Sequence, residues 1–415
     1  MWRNVIAAMG AIVLVACGSV GPLGGSPHAA DRPTYLVRAA LGVGATPEDV
    51  VTRLGGEVVV WRPESGLAVV GVEAAPSGLA PDERLEVNRD AVAAPVAATQ
   101  AGGIKIWSGG HKIWSGGDGV GAIAADNTAV WAQIGLDEAR ALAPAAGAGV
   151  LVAVLDTGVD LAHPAFAGSL ASPADWYDFV DEDGLPDEPQ GDGAAGAGFG
   201  HGTAVAALVL QVAPRATLLP LRVLDGEGVG DLAMLLRAVD HAVERGARVL
   251  NVSLGALDDS DALRAVVDHA ASRGVFVVAS AGNTGDQRIT FPAAIDDDLT
   301  VGVGSVDAED VKSDFSTFGE HLTMVAPGEA LWTAFPGEAA AYWSGTSMAA
   351  PLVSGAIALV LGELAGSDAD VLYQALLDAL VDVDELEANR DYGDDLGGRI
   401  DVATFLRVAI DGLSD

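Results

Sequence analysis

Short aliphatic runs alternate with longer amphipathic segments through most of the chain, and this alternation limits the folds that it can adopt. Continuous aliphatic runs are typical of strands buried on both faces, as in parallel sheets covered by helices. The predicted strands are 149–155, 216–224, 248–254, 275–280, 299–304 and 322–326, and the predicted helices are 230–245, 258–273, 346–361 and 368–381. The pattern predicts an α/β domain over 126–415, a parallel sheet with helices on both faces.

A smaller α+β unit, residues 32–97, is predicted to precede this domain. Thr46-Pro47-Glu48 has the cap, the first-turn proline and the early acid of a helix start, and the glycine pair at 55–56 ends that helix. The order of elements is β-α-β-β-α-β. Its predicted strands are 35–38, 57–61, 67–72 and a short final strand, and its second helix is 82–87.

The first 17 residues resemble a bacterial export signal. Arg3 supplies a positive charge, and the apolar run at 5–16 is too short to span a bilayer. The run ends in Leu-Val-Ala-Cys, which resembles a lipobox, and Cys17 is the only cysteine of the chain. We expect lipidation at Cys17, with 18–31 as a flexible tether. The alternative is an ordinary signal that is cleaved near 28–30.

Glycine and serine dominate the segment 98–125, and the sequence Lys-Ile-Trp-Ser-Gly-Gly occurs there twice, at 105–110 and 112–117. One interpretation is an exposed linker with a chance duplication. The other is a segment that occupies a groove until it is cut.

The chain is strongly acidic. It has 58 acidic and 22 basic residues, a net charge of −36. This charge excludes nucleic acid as a natural partner, and it excludes electrostatic docking on anionic lipid. We therefore expect membrane contact only through a lipid anchor. Such an excess of acidic residues is typical of a solvated surface. The alternative is adaptation to a salty environment, where salt screens the repulsion between the acidic side chains.

Three segments carry residues with catalytic chemistry. Asp156 ends an aliphatic strand, His201 stands between glycines at a helix start, and Ser347 lies at the start of a long apolar helix. Each alone has an ordinary structural interpretation, such as a helix cap. Together they supply the nucleophile, the base and the orienting carboxylate of acyl transfer, in one of the known chain orders of this triad.

At these residues the chain resembles the subtilisin family of serine peptidases, over about residues 131–361. The segments that carry the resemblance are Asp-Thr-Gly at 156–158, His-Gly-Thr at 201–203 and Gly-Thr-Ser-Met-Ala-Ala-Pro at 345–351. The resemblance implies that Asp156 orients His201, that His201 is the general base and acid, and that Ser347 is the nucleophile. Ala-Ser-Ala-Gly-Asn at 279–283 implies that Asn283 donates to the oxyanion together with the Ser347 backbone N–H.

The resemblance also implies a substrate-binding strand and a primary pocket. Ser253 and Leu254 are expected to pair with an extended substrate, and Gly255 is expected to admit its side chain. Ala281 and Gly282 belong to the pocket wall. Because this wall is small and carries no acid, we predict a sizeable apolar side chain before the scissile bond.

The family resemblance gives the unit 32–97 the role of a propeptide, a folding aid and temporary inhibitor. We predict a self-processing zymogen that is cut between 96 and 126, with protein or peptide substrates, its own propeptide as partner, and a monomeric state. Processing releases the enzyme outside the cell or into the periplasm. The alternative is a surface lipoprotein that uses a catalytically silent peptidase fold as a binding module.

No cofactor is expected for the chemistry, but structural calcium is an open expectation. Relatives use an aspartate in His-Pro-Asp, and this chain has His-Pro-Ala at 163–165. A different acidic loop contains Asp181, Asp183 and Asp187, weak candidates for calcium ligands. The alternative is a solvated acidic loop. Being close to His201 in sequence, the loop is also expected to raise the pKa of that histidine.

Overall fold

The computed structural model describes residues 32–92, 127–188, 198–297 and 299–413. The predicted signal peptide, Cys17, the tether at 18–31 and the linker at 98–125 lie outside the described residues. The predictions made for them stay predictions.

An antiparallel sheet with one packed helix forms the N-terminal unit, residues 33–92. Its elements are β1 (Tyr35–Arg38), α1 (Pro47–Leu54), β2 (Glu57–Arg62), β3 (Leu67–Val72), β4 (Arg84–Val87) and β5 (Asp90–Val92). The strand order is β2-β3-β1-β4. Helix α1 begins as predicted, because Thr46 Oγ1 accepts from the Asp49 N–H and the Asp49 carboxylate accepts from the Thr46 N–H.

The predicted second helix at 82–87 is wrong, because residues Arg84–Val87 form strand β4. Strand β4 pairs antiparallel with β1, from Tyr35 opposite Val87 to Arg38 opposite Arg84. The edge of β1 supplies hydrogen-bond partners that are remote in sequence, and a local acidic pattern carries no information about them. The short final strand exists as β5, but it pairs with a strand of the larger domain.

A seven-stranded, all-parallel sheet lies at the centre of the C-terminal domain, and the aliphatic runs predicted six of its strands but not the short strand Tyr177–Asp178. Its order is β13-β12-β11-β10-β6-β8-β7. The strands are β6 (Leu151–Asp156), β7 (Tyr177–Asp178), β8 (Thr217–Arg222), β10 (Val249–Val252), β11 (Phe276–Ser280), β12 (Thr300–Val306) and β13 (Met324–Pro327). Outside it lie β9 (Val229–Asp231), which pairs with β5, and the hairpin β14 (Leu331–Phe335) and β15 (Ala339–Trp343).

Helices cover both faces of this sheet. They are α2 (Thr128–Gln133), α3 (Leu136–Leu142), α4 (His201–Val212), α5 (Leu232–Glu244), α6 (Asp261–Ser272), α7 (Thr346–Glu363), α8 (Ala369–Asp378) and α9 (Val402–Gly412). Val152 and Val154 of β6 join one hydrophobic core with α4 and α7. Ala153 and Leu155 join the opposite core with α5 and α6. Each face of the central strand is therefore buried, which explains its unbroken aliphatic sequence.

Helix α7 runs through the first of these cores. Within the described residues it is the helix with the length and composition of a membrane span, and 89% of it is buried inside the protein. An apolar helix in this position is a core helix. Its function is to hold the residues of its first turn at the edge of the sheet.

Candidate active site

The predicted catalytic residues lie at the carboxyl ends of the central strands, where open parallel sheets place their ligands. Asp156 is the last residue of β6, and His201 is the first residue of α4. His201 Nδ1 lies 2.7 Å from Asp156 Oδ1, and both side chains are buried. The sheet and the helix therefore hold the carboxylate and the imidazole in direct contact.

The hydrogen bond to Asp156 fixes the imidazole's proton. Asp156 Oδ1 also accepts from the Thr157 N–H at 2.8 Å, so two hydrogen bonds hold this one oxygen of the carboxylate. Because a carboxylate is an acceptor, Nδ1 of His201 carries the proton and Nε2 is left as the basic atom. Nε2 is buried and makes no hydrogen bond to the described part of the chain. The imidazole is thus in the tautomer that a general base requires.

The surroundings of His201 raise its pKa. Burial lowers it, but the charge of Asp156, the hydrogen bond to Asp156 and the charge of Glu188 together outweigh burial. The acidic loop before α4 contains Glu188, and the expected upward shift is confirmed in direction.

Ser347 lies in the first turn of α7, where the first backbone N–H groups find no acceptor within the helix and the helix dipole is positive. Its Oγ donates to the Ser253 carbonyl oxygen at 3.3 Å, and its own carbonyl oxygen accepts from Ser253 Oγ at 2.9 Å. The predicted nucleophile is therefore joined to the predicted substrate strand.

Asn283 follows β11 and faces the same helix end. Its Oδ1 accepts from the Thr346 N–H at 2.9 Å and from Thr346 Oγ1 at 3.0 Å. The structure therefore brings the predicted oxyanion-hole side chain next to the residue that precedes Ser347.

The predicted pocket residues flank a side chain that sequence reasoning missed. A Cβ atom on Gly255 would lie 2.4 Å from Thr290 Oγ1, and one on Gly282 would lie 3.2 Å from Thr290 Cγ2. Thr290 is fixed there because its hydroxyl donates to the Ser280 carbonyl oxygen at 3.0 Å. Ala281 is fully buried beside it. Thr290 thus occupies space next to both glycines.

The predicted substrate strand follows β10 as expected. Ser253 and Leu254 are fully buried. The side chain of Leu254 belongs to the hydrophobic core, so it can offer a substrate only its backbone. Pairing with substrate therefore rests on main-chain groups of this segment.

The sequence analysis also missed strand β9. Residues Val229–Asp231 form β9, and β5 pairs with it antiparallel, with Ala91 opposite Gly230. The sequence pattern predicted a helix that begins at residue 230. In the structure α5 begins two residues later, because the side chain of Asp231 caps it by accepting from the Met234 N–H at 2.9 Å. The signal in the sequence was a pair of glycines, Gly228 and Gly230, directly before the helix.

Aromatic side chains of the hairpin β14–β15 form a further wall that was not predicted. The ring of Trp343 lies edge-on to His201, with 5.9 Å between centroids, and Phe335 lies 6.4 Å from Trp343. These aromatic rings restrict the orientation of the His201 imidazole and shield it from water.

The candidate calcium ligands are not assembled. Asp181 Oδ2 accepts from Arg222 at 2.5 Å, Asp183 Oδ1 from the Leu185 N–H, and Asp187 Oδ1 from the Leu161 N–H. The described ranges contain no group of three or more His, Cys, Asp or Glu residues that could hold a metal ion. Arg222 supplies the positive charge here, because it also pairs with buried Asp178. Calcium binding stays a prediction without structural support.

This site, built on a parallel α/β sheet, is typical of serine hydrolases that use an Asp, His and Ser triad. A model of the subtilase family matches residues 147–394 of the chain. The chain belongs to the subtilase family and is a serine endopeptidase.

Several curated proteins are similar to the chain. Thermitase from Thermoactinomyces vulgaris is 36% identical over 220 residues, which cover 53% of this chain and 77% of thermitase. The major intracellular serine protease of Bacillus subtilis (strain 168) is 36% identical over 229 residues, 52% of this chain and 69% of that protein. Subtilisin E of the same organism is 35% identical over 233 residues, 52% of this chain and 56% of subtilisin E.

Proposed function

We propose that the protein hydrolyses peptide bonds through an acyl-enzyme formed on Ser347, with His201 as general base and acid and Asp156 as the orienting carboxylate. The observation that carries the proposal is the 2.7 Å contact between Asp156 Oδ1 and His201 Nδ1, combined with a buried Nε2 that makes no hydrogen bond within the described residues. A histidine held in this way is prepared to take a proton from a serine hydroxyl.

The first half-reaction forms the ester. Ser347 Oγ leaves the Ser253 carbonyl oxygen, transfers its proton to His201 Nε2 and attacks the substrate carbonyl carbon. The oxyanion accepts hydrogen bonds from Asn283 Nδ2 and the Ser347 N–H, and one such donor contributes about 3–4 kcal/mol to transition-state stabilisation. The imidazolium, stabilised by Asp156, then protonates the leaving amine, and the C–N bond breaks.

The second half-reaction restores the enzyme. Water replaces the amine, gives a proton to His201 Nε2 and attacks the ester carbonyl carbon. The second oxyanion collapses as His201 returns the proton to Ser347 Oγ, and the carboxylic acid product leaves. In each half-reaction His201 gives up the proton that it has accepted, first to the amine and then to Ser347, so the imidazole ends the cycle neutral.

We further propose that the N-terminal unit inhibits the enzyme until it is cut away. Strand β5 occupies the edge of β9, as an extended substrate would by strand addition. The Glu86 carboxylate accepts from Ser260 Oγ at 3.0 Å and the Ala262 N–H at 3.1 Å at the start of α6. Arg62 pairs with Asp240 and Glu244 of α5, each at 2.7 Å.

The cut belongs between 96 and 126 in this proposal, and the export signal with Cys17 makes the precursor an exported, lipid-anchored protein. Cleavage leaves the propeptide on the anchor and releases the peptidase outside the cell or into the periplasm. The alternative, a catalytically silent binding module, is favoured by no observation on the described residues.

Hydrolysis of an unfolded protein by the purified chain tests the proposal. Wild type should release peptides, and Ser347→Ala should release none while it unfolds cooperatively as an uncut precursor. Equal hydrolysis by the two proteins would exclude Ser347 as the nucleophile.

A further inference from the structure

Glu188 is a buried carboxylate that the predicted site does not include. It is 1% exposed and lies in the loop that precedes α4. Its Oε1 accepts from Thr157 Oγ1 at 2.9 Å and from the Gly200 N–H at 2.8 Å. Its Oε2 accepts from Thr203 Oγ1 at 2.9 Å and from the Thr203 N–H at 3.3 Å. Four donors therefore converge on one side chain.

These donors come from the two segments that carry the catalytic pair. Thr157 directly follows Asp156 at the end of β6, and Gly200 and Thr203 stand on either side of His201 in the chain. Glu188 therefore joins the loop after the carboxylate to the first turn of the helix that bears the imidazole.

The two threonine hydroxyls extend the network into the backbone. Thr157 Oγ1 accepts from the Gly202 N–H at 3.0 Å, and Thr203 Oγ1 accepts from the Asp160 N–H at 2.9 Å. Each hydroxyl thus accepts from one segment while donating its own proton to Glu188. The arrangement crosslinks the loop after β6 to α4 twice.

Glu188 also supplies what α4 lacks. The N-cap of α4 is Gly200, which has no side chain to cap the helix, and the first turn of α4 contains no acid. The first N–H groups of a helix need acceptors and favour a negative charge. Glu188 provides both from outside the helix.

Two effects compete at the Glu188 carboxyl group. Burial raises the pKa of this carboxyl group, the hydrogen bonds from Gly200, Thr203 and Thr157 lower it, and burial prevails, which leaves a pKa of about 8. The four donors match the oxygen atoms of the carboxyl group, and both hydroxyls already accept an N–H, so their protons are directed to Glu188. The charged groups that face His201 are Asp156 and Glu188.

We propose that Glu188 is a positioning residue for peptide hydrolysis, which holds the imidazole of His201 against Asp156 by tying α4 to the end of β6. This inference rests on the proposed function. Glu188 acts through Thr157, Gly200 and Thr203, and none of these belongs to the substrate-binding segments.

The experiment compares Glu188→Gln and Glu188→Asp with wild type, using kcat and KM for a peptide substrate and the pH profile of kcat/KM. In Glu188→Gln, the amide nitrogen faces donors and cannot accept from them. We expect kcat to fall on the order of 10- to 100-fold, because small misplacements of catalytic groups have effects of this size. KM should stay within about twofold, and Glu188→Asp, which keeps a carboxyl group as acceptor, should restore part of kcat.

The pH profile separates positioning from stability alone. In Glu188→Gln the acid limb, which reports His201, should move to lower pH, because an imidazole displaced from Asp156 loses part of the interaction that raises its pKa. The matched control is Asp178→Asn, because Asp178 is an equally buried carboxylate that contacts Arg222 and does not face His201. This control should lower the melting temperature without the loss in kcat.

The proposal is overturned if Glu188→Gln keeps kcat within about twofold of wild type, or if the Gln and Asp variants lose kcat equally with the acid limb unmoved. If Glu188→Gln does not fold, Thr203→Val replaces it, since valine has a similar shape and removes both the donor to Glu188 and the acceptor for the Asp160 N–H. An unchanged kcat in that variant would also overturn the proposal. The proposed function is judged separately, by wild type against Ser347→Ala.

Discussion

The carbonyl oxygen of Gly158 lies 2.0 Å from the position that a Cβ atom on Gly202 would take. The glycine of the His-Gly-Thr motif is therefore required by a close approach of the first turn of α4 to the loop after β6. Any side chain at this position would push His201 away from Asp156.

Gly202→Ala should lose activity through this displacement. We expect kcat to fall on the order of 100-fold, and the free energy of unfolding to fall by about 1–3 kcal/mol, since the clash is with backbone. Steady-state kinetics and urea unfolding measure the two effects. The matched control is Gly184→Ala, because a Cβ atom there would meet nothing within 4 Å. Full activity of Gly202→Ala would show that the close approach has no catalytic role.

The pH dependence of activity follows from the raised pKa of His201. Only the neutral imidazole can accept the Ser347 proton, so kcat/KM should rise with pH through a midpoint above the usual histidine value of about 6.5. Asp156→Asn removes the largest stabilising charge, so its residual activity should have a lower midpoint and a kcat reduced on the order of 10⁴-fold. A wild-type midpoint below 6 would contradict the structure.

The protonation of His201 also affects the free energy of unfolding. Protonated His201 stabilises the fold, whereas only neutral His201 is active. A group whose pKa is higher in the folded state stabilises the fold fully below its unfolded pKa, and this contribution is lost as pH rises through the folded pKa. The part of the unfolding free energy that His201 contributes should therefore decline in the pH range where activity rises. Urea unfolding of wild type and His201→Ala at several pH values measures the difference, which should shrink with rising pH.

Thr290 should limit the size of the side chain before the scissile bond. Thr290→Gly empties the space beside Gly255 and Gly282, so kcat/KM for phenylalanine relative to alanine at that position should rise about tenfold or more. Thr290→Ser removes only the methyl group and keeps the hydroxyl for Ser280, so it should give an intermediate ratio. Peptide substrates that differ at this one position supply the measurement. Identical ratios in all three proteins would place the pocket elsewhere.

Glu86 should slow activation by holding the N-terminal unit on α6. Glu86→Ala removes the acceptor for Ser260 Oγ and the Ala262 N–H, so the lag before hydrolysis of a peptide substrate should shorten. The control is Glu57→Ala, since Glu57 is exposed on β2 of the same unit. A lag unchanged by Glu86→Ala would argue against inhibition through this contact.

Local sequence patterns predicted six of the seven strands of the parallel sheet, and the two-residue strand β7 was missed. The short motifs around Asp156, His201 and Ser347 predicted the triad by resemblance, and the structure places Asp156 and His201 in direct contact. The positions of β4 and Thr290 depend on partners far away in the chain. β4 needs the free edge of β1, and Thr290 meets Gly255 only after the chain has folded. Glu188 has no local signal of a site residue, because nothing in the neighbouring sequence shows that it is buried.

Labelling with a fluorophosphonate tests the central claim most directly, since this reagent forms a covalent bond only with an activated serine. The account predicts that wild type is labelled, that Ser347→Ala is not, and that the labelled band has a mass of about 30 kDa once the N-terminal unit has been removed. Labelling of both proteins, or of neither after removal of that unit, would contradict the assignment of Ser347. A labelled band at full length would leave the nucleophile in place and contradict the processing model.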